Sequence, residues 1–295
     1  MRGHRLRTDP TRRRRRRGAI STDIQQVVEQ TEAYYDGPAH EIYSRLWGDN
    51  IHMGYWYDEH QTLQEAMARL NEVMAERGGL RPDQRVLDVG SGNGAAPIYL
   101  ARQQQCRVVG LNLSERENEF ARQRAQEEGV GDRVEIRYGD FHDLPFADAE
   151  FDVVWSQESL LHAVDKPRVL RECFRVLRPG GRLVLSDLLM RDDVPEDERQ
   201  TLYSRVGTPE MWDLDGYAQA LREAGFQPER TEDWSANVAP TYGSVRQALQ
   251  QRRDELEGPV AAEQIDRTLT ALGQWVEAGN SGKISHGFFV ATRPE

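Results

Sequence analysis

The stretch Val86-Leu87-Asp88-Val89-Gly90-Ser91-Gly92-Asn93-Gly94 constrains the fold of this chain more than any other. A short apolar strand runs into a turn with glycine at every second position, and a helix-forming segment, 95–104, follows. Glycines at 90, 92 and 94 remove Cβ atoms where the backbone must bend sharply, and they let a ligand approach closely. The helix behind them would aim its unpaired N–H groups, at the positive end of its dipole, toward that ligand. Dinucleotide-binding folds use a similar turn, so the glycines alone are weak evidence. Asp88 sharpens the reading, because it stands two residues before the first glycine. The last glycine of G-x-G-x-x-G is also absent, since position 95 is Ala.

At 295 residues the chain is long enough for one sizeable α/β core with an added cap. It has no apolar run of membrane-spanning length and no signal-peptide core, which predicts a cytoplasmic protein with no membrane partner. Cys106 and Cys173 are the whole cysteine complement, without CxxC or Cys/His spacing, so neither a disulfide scaffold nor a metal site is expected.

Charge is more telling. The chain carries 38 basic and 49 acidic residues, a net −11. Residues 1–18 hold nine Arg and one Asp, which leaves 29 basic against 48 acidic residues beyond them. Lysine occurs only at 166 and 283. An acidic, lysine-poor body raises solubility at the cost of self-repulsion that salt screens. That suits a halophilic source, and it equally suits an Arg-rich, high-GC genome. The Arg12–Arg17 run invites a nucleic-acid reading, yet no aromatic residue lies in the tail and the acidic body would repel phosphates. Gly18-Ala19-Ile20-Ser21 begins no apolar export region. Residues 1–21 therefore read as a disordered tail, with no nucleic acid as partner.

Residues 22–295 read as a single domain: a helical cap over 22–80, a ligand-binding core over 81–190, and helices with the last strands over 191–295. Within the cap, 22–36 looks helical and 40–57 is rich in aromatic residues. Helix 61–77 puts Leu63, Met67, Leu70 and Met74 on one face. Strands are expected at 85–89, 107–112, 133–138, 151–156 and 182–187. Ser114-Glu115-Arg116-Glu117 reads as a capping box opening a helix that Gly129 ends. Helix 166–177 stops at Pro179-Gly180-Gly181. Residues 213–295 read as two or three more helices, a strand near 226–234 and a last strand at 284–292. Strands alternating with amphipathic helices mean an α/β fold around a mostly parallel sheet, whose ligands bind beyond the carboxyl ends of the strands.

Residues 88–94 resemble motif I of class I S-adenosylmethionine (SAM) methyltransferases, Asp/Glu-x-Gly-x-Gly-x-Gly. The resemblance implies a Rossmann-like fold with a seven-stranded sheet, and SAM as cofactor. In such a site Asp88 orients the loop of Gly90, Gly92 and Gly94 and, through it or water, the methionine ammonium. Asn112 ends the second strand, followed by Leu113, where many class I enzymes carry an acid for the ribose hydroxyls. An Asn accepts and donates there through weaker neutral bonds, and it also suits a plain turn. Asp140 would accept from the adenine amine with Phe141 against the ring, although Asp also suits a surface turn. Gln157, at the end of the fourth strand, would face the methionine part.

A narrower resemblance follows. Trp155-Ser156-Gln157-Glu158-Ser159-Leu160-Leu161-His162 resembles the W-S-Q-D-x-x-L-H segment of sarcosine/dimethylglycine N-methyltransferases, which make glycine betaine. Leu111 to Asn118, Trp47-Gly48-Asp49-Asn50-Ile51-His52-Met53-Gly54, Tyr242-Gly243 and Trp275 to Lys283 are similar to the same family. The resemblance spans about residues 30–292 and implies a small amine substrate, and a monomer or homodimer is expected. Departures fall at Glu158 for Asp, Leu188 for Pro, Ser285-His286-Gly287 for Thr-Trp-Gly, and Ser-Gly-Asn-Gly for Ala-Gly-Tyr-Gly in the loop. Ile51 to Trp56 also resembles sugar and phosphobase methyltransferases, which keeps an O- or C-methyltransferase on a sugar, phosphobase or other small metabolite as the alternative.

The chemistry of the acceptor gives a separate argument. O-methylation usually needs a base for the hydroxyl proton. Related sugar enzymes carry His-His after strand four, where this chain has Leu161-His162. A neutral tertiary amine has no proton to lose and needs positioning in line with the methyl. His162 and Gln157 are thus expected to position the reactants without a general base. His52, Trp56, His162 and Tyr242 are the candidate acceptor contacts. Tyr34, Tyr35, Trp47, Tyr55, Trp56 and Tyr57 could offer aromatic faces to a quaternary ammonium, although for any single one of them core packing is the better reading. A buried, satisfied histidine remains an equal reading of His162.

Overall fold

The computed structural model describes residues 50–58, 60–257 and 260–295. The Arg-rich tail, the helix expected at 22–36, and Tyr34, Tyr35 and Trp47 lie outside the described residues.

Helix α1 (Leu63–Gly78) begins with a reciprocal cap. Glu65 N donates to Thr62 Oγ1 at 3.3 Å, and Thr62 N donates back to Glu65 Oε2 at 2.8 Å. Its apolar side buries Met67, Leu70 and Met74 against the sheet. The expected core of strands and helices then follows: β1 (Arg85–Val89), α2 (Ala95–Gln103), β2 (Arg107–Asn112), α3 (Glu115–Glu127), β3 (Val134–Tyr138) and β4 (Phe151–Gln157). A 3-10 turn, Leu160–His162, leads to α4 (Lys166–Val176) and β5 (Leu177–Met190). The carboxyl-terminal part adds α5 (Glu196–Val206), α6 (Leu214–Glu223), β6 (Gln227–Asp233), α7 (Val238–Gln251), the short α8 (Arg253–Leu256), α9 (Ala262–Asn280) and β7 (Ile284–Thr292).

The seven strands form one sheet in the order β3-β2-β1-β4-β5-β7-β6. Pairing is parallel from β3 through β5, and β7 runs antiparallel to both β5 and β6. Strand β5 is longer than the expected 182–187 because its far half, Arg182 to Met190, pairs along the whole of β7. Apolar residues cover both faces. One layer joins α1 and α9 to Val86, Val153, Trp155 and Val184; the other joins α4 and α6 to Leu87, Val154 and Leu185. Strand order reverses between β1 and β4, so a crevice opens beyond their carboxyl ends, where such sheets bind ligands.

Ser114 Oγ accepts Glu117 N at 3.2 Å, which caps α3 as its sequence predicts. The Glu117 carboxylate also accepts from Asn112 Nδ2.

Candidate active site

The cleft at the reversal point offers about 1090 Å³ of empty space, counted out to open solvent. Its floor is the end of β1 and the turn behind it. Gly90 has φ +85, and a Cβ there would collide with the Ser159 side chain, so only glycine fits. Ser159 is itself fixed, its Oγ 2.5 Å from Val89 O and 2.7 Å from Ser156 Oγ. At Gly92, with φ +47, a Cβ would meet nothing within 4 Å, which leaves open cradle above the turn.

Asp88 is buried in this floor, and its Oδ2 has no hydrogen-bond partner. Burial pushes its carboxyl up to about 8. An unpartnered carboxylate oxygen in a polar floor calls for a cation or donor brought by a ligand. That need fits the ammonium of SAM, and the open cradle at Gly92 fits a backbone-level approach by its tail.

The rim beyond β2 carries Asn112, Leu113, Ser114 and Glu117. Asn112 Nδ2 donates to Glu117 Oε2 at 2.9 Å. A carboxylate from the first turn of α3 thereby stands where a strand-end acid was missing. Sequence reasoning spent Glu117 on a capping box and so overlooked it. Beyond β3, Phe141 and His142 line the cleft. Asp140 does not: its Oδ1 accepts His142 N at 2.9 Å and pairs with His142 Nδ1 at 2.7 Å. His142 went unnoticed in the sequence because nothing local marks it.

Gln157, at the end of β4, lines the cleft and is held at both ends of its amide. Nε2 donates to Asn71 Oδ1 at 2.8 Å, and Oε1 accepts from Trp155 Nε1 at 3.0 Å. Asn71, from the middle of α1, is another residue that its own sequence context did not flag. His162 lines the cleft from the 3-10 turn, and burial, with Lys166 nearby, lowers its ring to about 4. Lys166 Nζ pins that turn by donating to the carbonyls of Leu161 (3.3 Å), Ala163 (3.2 Å) and Glu210 (2.6 Å). His162 is thus a neutral, fixed imidazole at physiological pH.

The structure therefore gathers Asp88, Gly90, Gly92, Asn112, Leu113, Phe141, Gln157, His52 and His162 around one cleft. Gly94, Asp140, Trp56 and Tyr242 are not among its lining residues. Gly94 packs under α3, where a Cβ would lie 2.7 Å from Ala121 Cβ. Trp56 fastens the amino-terminal strap: its Nε1 donates to Thr241 Oγ1 at 2.9 Å and its backbone N to Asn237 Oδ1 at 2.8 Å. Tyr242 is core, edge-on to Trp275 at 4.7 Å. Among the described residues no cluster of His, Cys, Asp and Glu could hold a metal ion, and no helix is long and apolar enough to cross a membrane.

Comparison with known proteins agrees with this geometry. A methyltransferase domain family matches residues 87–185, which run from β1 into β5. The chain is 40% identical to a sarcosine/dimethylglycine N-methyltransferase of Halorhodospira halochloris, over 90% of this chain and 96% of that protein. It is 38% identical to the 27-O-demethylrifamycin SV methyltransferase of Amycolatopsis mediterranei, over 88% of this chain and 96% of that protein. A solved structure described as a putative sarcosine dimethylglycine methyltransferase from Galdieria sulphuraria superposes with a TM-score of 0.82 at 27% identity, covering 88% of this chain and 98% of that one. With a Gly-rich turn after β1, a sheet of the order seen here and full-length relatives of this kind, the chain belongs to the class I SAM-dependent methyltransferases.

Proposed function

We propose that this enzyme methylates sarcosine and dimethylglycine at nitrogen, producing glycine betaine. The observation that carries the reading is 40% identity along nearly the whole of a sarcosine/dimethylglycine N-methyltransferase. Bound in the cleft, SAM supplies an electrophilic methyl group on a cationic sulfur. Asp88 and the Gly90–Gly92 turn are the groups suited to its amino-acid end, the Asn112–Glu117 pair to its ribose hydroxyls, and Phe141 to its adenine face. Gln157 and His162, both fixed by neighbours, are suited to setting the line of approach of the amine. Neither brings a charge to repel the cationic product.

The test is incubation with SAM and a panel of glycine, sarcosine, dimethylglycine, phosphoethanolamine and a sugar acceptor, read by mass spectrometry. Dimethylglycine should gain one methyl and sarcosine two. Glycine should be poor, because each missing methyl forfeits about 0.8 kcal/mol of burial. A second reading, an O- or C-methyltransferase acting on a sugar, phosphobase or larger metabolite, draws on the rifamycin-type relative at 38% identity. It stands if no betaine forms while such an acceptor is methylated.

A further inference from the structure

His52 lines the cleft and is only 7% exposed. Its Nδ1 lies 2.8 Å from Met53 O, a carbonyl that can only accept, so Nδ1 carries the ring proton. In the neutral ring Nε2 is then a bare acceptor, and it has no partner. A buried acceptor without a donor is unfavourable and points to a donor that arrives with a ligand.

The residue next to it is clamped. Met53 N donates to Glu158 Oε2 at 2.9 Å. The other oxygen of Glu158 accepts from Ser186 Oγ at 2.5 Å and from His286 Nε2 at 2.9 Å. Glu158 holds φ +44, a left-handed backbone that a non-glycine residue adopts rarely and that clusters at functional sites. Glu158 and His286, although 128 residues apart in sequence, bond to each other. The pair forms one unit, and that unit holds the backbone carrying His52.

We propose that His52 is the proton acceptor for the incoming amine, with Glu158 and His286 as positioning residues. The inference rests on the amine reading of the function. An amine reaches the cleft mostly as its ammonium, which has no lone pair to attack with. Its proton passes to His52 Nε2, the freed lone pair forms the N–C bond, the C–S bond breaks with its electrons on sulfur, and the imidazolium returns the proton to water. Burial lowers the His52 pKa, so the ring is neutral and ready at physiological pH. The Glu158 carboxylate opposes that lowering and favours the imidazolium once formed, whereas His286 adds to it. Asp88 and His162 also line the cleft, with Glu117 and His142 on its rim beyond β2 and β3.

His52→Ala and His52→Gln, assayed with dimethylglycine from pH 6.5 to pH 10.5, test the assignment. At pH 7 kcat/KM should fall about 10²-fold or more, the usual span for losing a general base. The SAM dissociation constant from calorimetry should stay within about twofold, since only the acceptor loses a contact. The deficit should shrink as pH passes the pKa of the amine, where the acceptor arrives already deprotonated. An equal deficit at every pH, or none, overturns the proposal. Nitrogen-15 NMR of the cofactor-free protein reads the ring directly: Nδ1–H with bare Nε2 is expected, and Nε2–H overturns the assignment whatever the acceptor. A wild-type enzyme that makes no betaine instead overturns the amine reading. Glu158→Gln should lower kcat with SAM affinity unchanged and should shift the His52 ring signals. Unmoved signals overturn the positioning role.

Discussion

Asn112 Nδ2 donates to Glu117 Oε2 at 2.9 Å, tying the last residue of β2 to the first turn of α3. The bond makes one recognition unit of a neutral amide and a carboxylate. It leaves the second Asn112 proton, its amide oxygen and the remaining Glu117 lone pairs for neighbours and ligand. Glu117→Ala should weaken SAM binding by roughly 1–3 kcal/mol, the range for orphaning a buried polar group. Asn112→Ala should do the same, and the double variant should lose clearly less than the sum. Calorimetric titration of all four proteins checks this; strictly additive losses would show that the pair does not act as a unit.

Asp88 should couple cofactor binding to pH. Its carboxyl, pushed up to about 8 by burial, is mostly protonated near pH 7 in the free enzyme. A bound ammonium favours the ionised form, so SAM binding should release up to one proton and tighten as pH rises from 6 to 8. Titrations in two buffers of different ionisation enthalpy measure that proton. For folding the sign is the reverse. A carboxyl whose pKa is raised on folding stabilises the protein fully only below the unfolded value of 3.8, and loses that contribution as pH rises to about 8. Asp88→Asn should therefore stabilise the cofactor-free protein at pH 7, by up to about 4 kcal/mol, while weakening SAM. A lower melting temperature for Asp88→Asn in the absence of SAM would contradict it.

Glu158 behaves oppositely. Burial acts to raise its pKa, and the bond and charge of His286, with His52 and Ser186, outweigh that and hold it near 2. Its contribution is thus present above the unfolded value of 4.5 and fades as pH falls toward 2. Acid unfolding of the wild type should lose roughly 2–3 kcal/mol through this group across that window. Glu158→Gln should be less stable at pH 7 and should show a flatter profile below pH 4.5. Chemical denaturation at several pH values measures both slopes.

Much of the framework was readable because it is written locally. The turn at Gly90–Gly92 needs left-handed backbone, and the strands on either side carry short apolar runs, so β1, β2 and β7 fall at the expected residues. Side-chain choices between competing partners were not readable. Asp140 has a histidine two residues on, and its Oδ1 bonds both the backbone N and the ring of that residue. Trp56 and Tyr242 looked like ligand-facing aromatics, yet Thr241 and Asn237, more than 180 residues from Trp56, claim the first and Trp275 packs on the second. Glu158 and His286 stood out as departures, but nothing in a linear sequence says that they touch.

Residues 1–18 should be dispensable for catalysis. They carry no apolar pattern to bury, and their nine Arg oppose the sign of the body. A chain shortened to begin at Ala19 should keep its melting temperature and turnover. A large loss in either, seen by calorimetry or by methyl-transfer assay, would show that the tail docks on the enzyme or reaches its site.

Strand β7 enters the sheet against the direction of its neighbours, paired along its whole length to β5 on one side and over Gly287 to Thr292 to β6 on the other. Those bonds belong to the backbone and do not depend on which side chain stands at 286. His286 can therefore be exchanged without unthreading the sheet, and the exchange is felt through Glu158, which lines the cleft. Relatives named for very different acceptors, a small amino acid and a rifamycin, sit at 40% and 38% identity to this chain. A strand held in place by its backbone lets one scaffold change a residue beside the cleft without losing the sheet that carries it.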